Sequence, residues 1–213
     1  MIEVEAEIAL ATINFEEYAG ALAAKFGLPA RDYGLTKVLD VFLDTPDLAL
    51  LANGCSLRVR QKLEAIYSGG EYRLTFKRPV GRHPSLFVRE ETKVKLMEHD
   101  LAAVIEFSSE FGLGLAGKEM GSRLVIDELS YEREVGPEDS HLHLSYDRVS
   151  YFHPVTQEPL SQEHILEIEG HGSPSKLILD ALEWTLDTFG GEVHETAKYE
   201  RGMAHLKKAA AKK

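Results

Sequence analysis

Ile2-Glu3-Val4-Glu5-Ala6-Glu7-Ile8 alternates without a break. Ile2, Val4, Ala6 and Ile8 fall on one side of an extended chain and Glu3, Glu5 and Glu7 on the other, the period of a β-strand. Its polar side is entirely acidic, and the same habit returns along the chain with both signs. Arg58 and Arg60 share a face, as do Arg73, Thr75 and Lys77, then Arg89, Glu91, Lys93 and Lys95. Arg123 and Asp127 form a further such set, followed by His141, His143, Ser145 and Asp147, and finally Glu167 and Glu169. The opposite faces are apolar: Leu57 and Val59, Leu74 and Phe76, Leu166 and Ile168.

Two arrangements satisfy this pattern. The charged faces can look outward into water, as on an antiparallel sheet with one wet side. Alternatively the sheet closes on itself, the apolar faces are covered by helices, and the charges point into a lumen. A lumen holding both signs pairs its charges when empty, because desolvated charges need partners. It also suits a metal–polyphosphate complex. Carboxylates bind hard divalent cations, and guanidinium forks and ammonium groups bind phosphate oxygens.

Helices to cover such a sheet are present. Asn14 with Glu16 and Glu17 opens a helix that runs to Phe26 and stops at Gly27. Glu98–Phe111 carries an amphipathic pattern ended by Gly112 and Gly114. Ser173-Pro174 opens a helix with Leu177, Ile178, Ala181, Leu182, Leu186 and Phe189 on one face. A short helix over Ala197–Leu206 closes the fold, before a Lys/Ala-rich tail at 207–213. Between them, strands are expected over Lys37–Asp44, Ser56–Lys62, Tyr72–Arg78, Leu86–Leu96, Arg123–Arg133, His141–Tyr151 and His164–Glu169. Ser68-Gly69-Gly70 forms a hairpin loop.

Composition limits the function classes. The chain has 213 residues, a formal net charge of −11 and a single cysteine, Cys55. One cysteine excludes a disulfide framework and a thiolate-rich metal site. An acidic chain is poorly suited to polymeric nucleic acid. No apolar run approaches the roughly 20 residues of a membrane span. The start lacks the basic n-region of a signal peptide, so a cytoplasmic protein is expected. No composition break divides the chain, and residues 1–206 read as one domain.

The ordered motifs resemble those of the CYTH domain, or triphosphate tunnel metalloenzyme, family. Glu3-Val4-Glu5-Ala6-Glu7 stands where that family has Glu-x-Glu-x-Lys, and Phe42-Leu43-Asp44-Thr45-Pro46 where it has a tyrosine-led turn. Gly54 through Leu57-Arg58-Val59-Arg60, Leu74-Thr75-Phe76-Lys77, Arg89-Glu90-Glu91, Glu167-Ile168-Glu169 and Lys198-Tyr199 follow in the family's order. The resemblance implies an α+β fold, an eight-stranded antiparallel closed β-barrel forming a tunnel with a charged interior and flanked by helices. It also implies metal-dependent hydrolysis of inorganic tripolyphosphate or a small organic triphosphate such as thiamine triphosphate. The alternatives are cyclisation of ATP to cyclic AMP, as in class IV adenylate cyclases, and a module that grips polyphosphate or a nucleotide without turnover.

On this resemblance Glu3, Glu5, Glu167 and Glu169 are expected to hold Mg²⁺ or Mn²⁺. Arg58, Arg60, Lys77, Arg89 and Arg123 are expected to hold the phosphates, with Lys198 closing from the C-terminal side. Glu91 and Asp147 orient arginines or serve a second metal. Glu5, Glu7 and Lys77 are the catalytic candidates, and a small triphosphate is the expected partner of a monomer or homodimer. Glu7, in place of the family lysine, removes a positive charge and adds a metal ligand or a base for water. Phe42 in place of tyrosine loses a hydroxyl.

Overall fold

The structure is a computed structural model, and it describes residues 1–63, 71–81, 83–96, 118–171 and 175–212. The expected hairpin loop at Ser68-Gly69-Gly70, the helix over Glu98–Phe111 with its terminal glycines, and the Ser173-Pro174 helix start lie outside the described residues.

Strands β1 (Ile2–Ala9), β2 (Ala30–Asp44), β3 (Ser56–Lys62), β4 (Glu71–Pro79), β5 (Phe87–Leu96), β6 (Gly121–Val135), β7 (His141–Phe152) and β8 (Pro159–His171) form one antiparallel sheet in the order β5-β4-β3-β2-β6-β7-β8-β1. Pairing of β1 with β5, Glu3 opposite Arg89 and Glu5 opposite Phe87, closes it into an eight-stranded barrel. A two-residue strand, β9 (Glu192–Val193), adds to the end of β1. Closure leaves the barrel strands without a free edge.

Four helices are described: α1 (Phe15–Phe26), α2 (Ala49–Ala52), α3 (Ser175–Phe189) and α4 (Lys198–Ala210). None is long and apolar enough to cross a membrane. In α1, Asn14 Oδ1 accepts a bond from the Glu17 amide, and Gly27 ends the helix at φ 63°, a left-handed conformation that suits glycine. Together α1 and α3 cover the outer face of β1, β7 and β8. There Ala6, Ile8, Leu142, Leu144, Leu166 and Ile168 meet Tyr18, Leu22, Ile178 and Leu182 in one buried cluster. A second cluster lies outside β3 and β4, where Leu57, Val59, Leu74 and Phe76 pack with Leu50 of α2. The apolar faces seen in the sequence are therefore the outer walls, and the charged faces look inward.

Helix α4 acts differently, because it closes one end of the barrel. Tyr199 and Met203 pack onto the inward-facing Phe42, Leu124, Ile126, Val149, Tyr151 and Ile165. Phe42 stacks on Tyr199 with ring centroids 4.9 Å apart and planes 3° apart. Gly202 permits this approach, since a Cβ there would run into Leu124 and Tyr151.

Several boundaries differ from expectation. β2 begins at Ala30, seven residues before Lys37. Its first half is polar and shifts register between Asp32 and Gly34, where Gly34 has φ 115°, so the alternation is broken there. The helical turn α2 was not expected. It forms because the Asp44 carboxylate accepts the amides of Leu50 and Leu51 at 2.9 and 3.0 Å. Strand β9 was also unforeseen, and α4 runs to Ala210, four residues past Leu206, into the lysine-rich segment.

Candidate functional site

Because alternate residues of a strand face opposite ways, the closed barrel collects one charged face from most of its strands. The resulting lumen has a volume of about 360 Å³. β1 contributes Glu3, Glu5 and Glu7, and β8 contributes Glu167 and Glu169. From β3 to β5 come Arg58, Arg60, Lys77, Arg89 and Glu91. Asp147 comes from β7 and Lys198 from the first turn of α4. All but one of the expected site residues thus converge on one hollow. Arg73 and Lys93, which match no family motif, line it as well.

Arg123 is the exception. On β6 the lumen-lining positions are Glu128, Ser130, Glu132 and Glu134, whereas Arg123 is the residue skipped at the register shift between Ser122 and Leu124. Its Nε donates to the Asp44 carbonyl at 3.2 Å, and it does not line the lumen.

The lumen has two unlike walls. β3, β4 and β5 carry most of its cations, whereas β1, β6, β7 and β8 are acidic. The walls meet at β1 and β5. Lys77 Nζ lies 2.7 Å from Glu3, 3.6 Å from Glu91 and 3.8 Å from Glu5. Arg89 reaches Glu5 at 2.6 Å and Glu3 at 3.3 Å. Within the cationic wall, Arg58 and Arg60 are both held by Asp40, which is buried on β2. Sequence reasoning missed Asp40. The inward apolar neighbours Val38 and Phe42 hide the alternation that would have marked it.

The acidic wall is served from α4. Lys198 Nζ contacts Glu128 at 2.6 Å, Asp147 at 2.7 Å and Glu167 at 2.9 Å, and Ser130 Oγ donates to Asp147 at 2.6 Å. One turn on, Arg201 contacts Glu7 at 2.8 Å and Glu163 at 3.0 Å. Tyr151 donates its hydroxyl to Glu163. Glu128, Glu163 and Arg201 were not anticipated either. Only the tertiary docking of α4 brings Arg201 to Glu7.

These contacts set the protonation of the wall. Burial opposes ionisation at Glu5 and Asp40, yet the adjacent cations prevail. Arg89 and Lys77 hold Glu5 well below the usual carboxylate range, and Arg58 and Arg60 hold Asp40 down to about 2. At Glu7 burial dominates and the Glu5 charge adds to it, pushing the carboxyl up to about 7. Burial also raises Glu3, Asp147 and, most strongly, Glu167, against the pull of Lys77 on the first and of Lys198 on the other two. The Lys198 ammonium is raised well above its ordinary value despite its own desolvation, because Asp147, Glu128 and Glu167 surround it.

Burial keeps several of these carboxyls from ionising readily, and a cation placed among them would favour their charged forms. Two sets of carboxylates bring oxygens within 4.8 Å of one another, Glu3 with Glu5 and Glu169, and Glu5 with Glu7 and Glu167. All are hard oxygen donors of the kind Mg²⁺, Mn²⁺ and Ca²⁺ take. Among the described residues no such set includes His141 or His143, although both line the lumen.

Comparison with known proteins agrees with this architecture. A protein of Pyrococcus horikoshii is 20% identical, with 97% of this chain and 99% of that one covered and a TM-score of 0.61. A candidate adenylyl cyclase of Hippeastrum, described by its dominant triphosphatase activity, is 16% identical over 95% of each chain, with a TM-score of 0.59. A candidate adenylate cyclase of Bacillus halodurans is 18% identical over 94% of this chain and 97% of its own, with a TM-score of 0.57. At such identities the likeness is one of fold. No curated protein matches the chain. The whole barrel, from β1 to the residue before α4, matches one family description over residues 1–197, and the chain belongs to the CYTH domain family.

Proposed function

We propose that this protein is a divalent-metal-dependent triphosphate hydrolase, acting on inorganic tripolyphosphate or a small organic triphosphate such as thiamine triphosphate. The observation that carries the reading is the meeting of the two walls, where Lys77 and Arg89 touch Glu3 and Glu5 in a buried hollow. A triphosphate with its metal offers each wall the opposite charge. It takes the cations from the carboxylates and leaves the carboxylates to the metal.

In this reading Arg58, Arg60, Lys77 and Arg89 bind the phosphate chain, the guanidinium groups by forked hydrogen bonds and the ammonium as a point charge. Glu3, Glu5 and Glu169 hold Mg²⁺ or Mn²⁺, with Glu167 the further candidate. When bound, the cation neutralises charge on the phosphate oxygens. Phosphoryl transfer asks for positioning and electrostatic stabilisation rather than a protein nucleophile. Water attacks the terminal phosphorus, the bond to the bridging oxygen breaks, and orthophosphate leaves the shortened chain. Lys77 steadies the charge on the transferred group. Glu7, lifted to about 7, is the candidate to accept the water's proton. Glu91 orients Lys77 and Lys93, at 3.6 and 2.5 Å. Arg123, which does not line the lumen, has no part in the reading.

A phosphate-release screen tests it, with tripolyphosphate, thiamine triphosphate, nucleoside triphosphates and long polyphosphate, each with Mg²⁺ and with Mn²⁺. Release that a chelator abolishes is expected. Cyclic AMP from ATP would favour a cyclase. Tight tripolyphosphate binding with no release under either ion would favour a binding module.

A further inference from the structure

The two carboxylate triads share Glu5 but are neutralised from different parts of the fold. Glu3 and Glu5 take their cations from the barrel wall, Lys77 on β4 and Arg89 on β5. In the second triad, the two carboxylates other than Glu5 take theirs from α4: Lys198 lies 2.9 Å from Glu167, and Arg201 lies 2.8 Å from Glu7. Lys198 and Arg201 are three apart in sequence, so both project from one side of the helix.

Their attachment differs too. A polyanion entering the lumen competes with Glu3 and Glu5 for Lys77 and Arg89, which line the cationic wall. Lys198 instead sits among Glu128, Asp147 and Glu167, and Arg201 is shared between Glu7 and Glu163. Freeing either breaks several charge contacts in a buried setting. Moving the helix would also disrupt the packing of Gly202 and Met203 against the inner face of β6 and β7. The ammonium of Lys198, ringed by carboxylates, stands where a free cation would otherwise be drawn.

We propose that α4 sets how many divalent cations the lumen accepts. Lys198 and Arg201 are tethered cations that fill the Glu5–Glu7–Glu167 triad, and a metal enters only at Glu3, Glu5 and Glu169. The first part rests on the contacts of α4. The second rests on the reading of the lumen as a metal–triphosphate site.

The test counts bound Mn²⁺ per chain, by titration calorimetry and by the loss of the free-ion electron paramagnetic resonance signal, with Mn²⁺ alone and no phosphate compound. The wild-type protein is expected to bind at most one ion, because without a polyanion Lys77 and Arg89 still compete for Glu3 and Glu5. Lys198→Met/Arg201→Met is expected to bind one more, and adding Glu167→Gln to it should remove the gained ion. An unchanged count in the double variant, or two ions already in the wild type, would overturn the proposal. No ion in the wild type but one in the variant would likewise uphold the role of α4, with Lys77 and Arg89 holding the first position closed until a polyanion draws them away. A cooperative melt establishes that each variant is folded. Should the double variant not fold, Lys198→Met alone is read by the same counts.

Discussion

Arg60 grips Asp40 with two parallel bonds, Nε to Oδ1 at 2.8 Å and Nη2 to Oδ2 at 2.7 Å. Arg58 takes the same Oδ2 at 2.9 Å. A single buried carboxylate therefore fixes both arginines of the Leu57-Arg58-Val59-Arg60 motif. Asparagine keeps the shape but loses the charge, taking the shared anion from both guanidinium groups and leaving Arg60 with Glu128 at 3.4 Å. Both arginines keep some solvent contact, which softens the penalty. Asp40→Asn is expected to lower stability by about 2 kcal/mol in urea unfolding. It should raise the KM for a triphosphate more than it lowers kcat, since the arginines are misplaced rather than removed. Unchanged stability and unchanged KM would mean that Asp40 does not position them.

The same residue gives a pH signature. Its carboxyl is depressed in the fold from 3.8 to about 2, so the stability it contributes is fully present above the ordinary value and is lost as pH falls through about 2. The stability difference between wild type and Asp40→Asn should stay flat from pH 7 to about pH 4 and shrink below it. A difference that grows on acidification would contradict the assignment.

Glu7 and Arg201 decide what happens when the family's lysine is restored. With Arg201 Nη1 2.8 Å from Glu7, a lysine at this position confronts a largely enclosed guanidinium. Glu7→Lys is expected to destabilise the fold by about 3 kcal/mol, the scale for leaving a buried charge unpaired. The exchanged pair Glu7→Lys/Arg201→Glu should recover much of that loss in a double-mutant cycle. Additive losses would show that the two side chains are not coupled.

How much of this could be read from the chain alone varies along it. The alternation in β1, β3, β4, β5, β7 and β8 was legible because one face is apolar under helices and the other charged in the lumen. β6 misled. Val125 is buried on the outside and Leu124 and Ile126 on the inside against α4, so its first half has no polar face, and the register shift at Arg123 interrupts the alternation. Glu128 and Ser130, further along the inner face, were overlooked for that reason. Asp40 was masked in the same way by Val38 and Phe42. Lys198 was visible through its motif, but its partners were not. Contacts between a docked helix and strands more than 50 residues away leave no local period to detect.

Asp44 shows a motif residue serving the fold. Its carboxylate accepts the amides of Thr45, Leu50 and Leu51 and the hydroxyl of Tyr199, between 2.7 and 3.1 Å, and so ties β2 to α2 and α4. Asp44→Ala leaves buried donors unsatisfied and is expected to cost about 3 kcal/mol in urea unfolding. Mn²⁺ stoichiometry should be unchanged in the folded fraction. Loss of the bound ion from well-folded protein would place Asp44 at the metal instead.

Steady-state release of phosphate from tripolyphosphate with Mn²⁺, compared among wild type, Lys77→Met and Arg123→Ala, reports most directly on whether the two lumen walls do the chemistry. The wild type is expected to turn over. Lys77→Met should fall by about 100-fold, the scale for removing one charge-stabilising group, while Arg123→Ala, altered outside the lumen lining, should keep the wild-type rate. Equal rates in Lys77→Met and wild type, or loss of activity in a well-folded Arg123→Ala alone, would contradict the account.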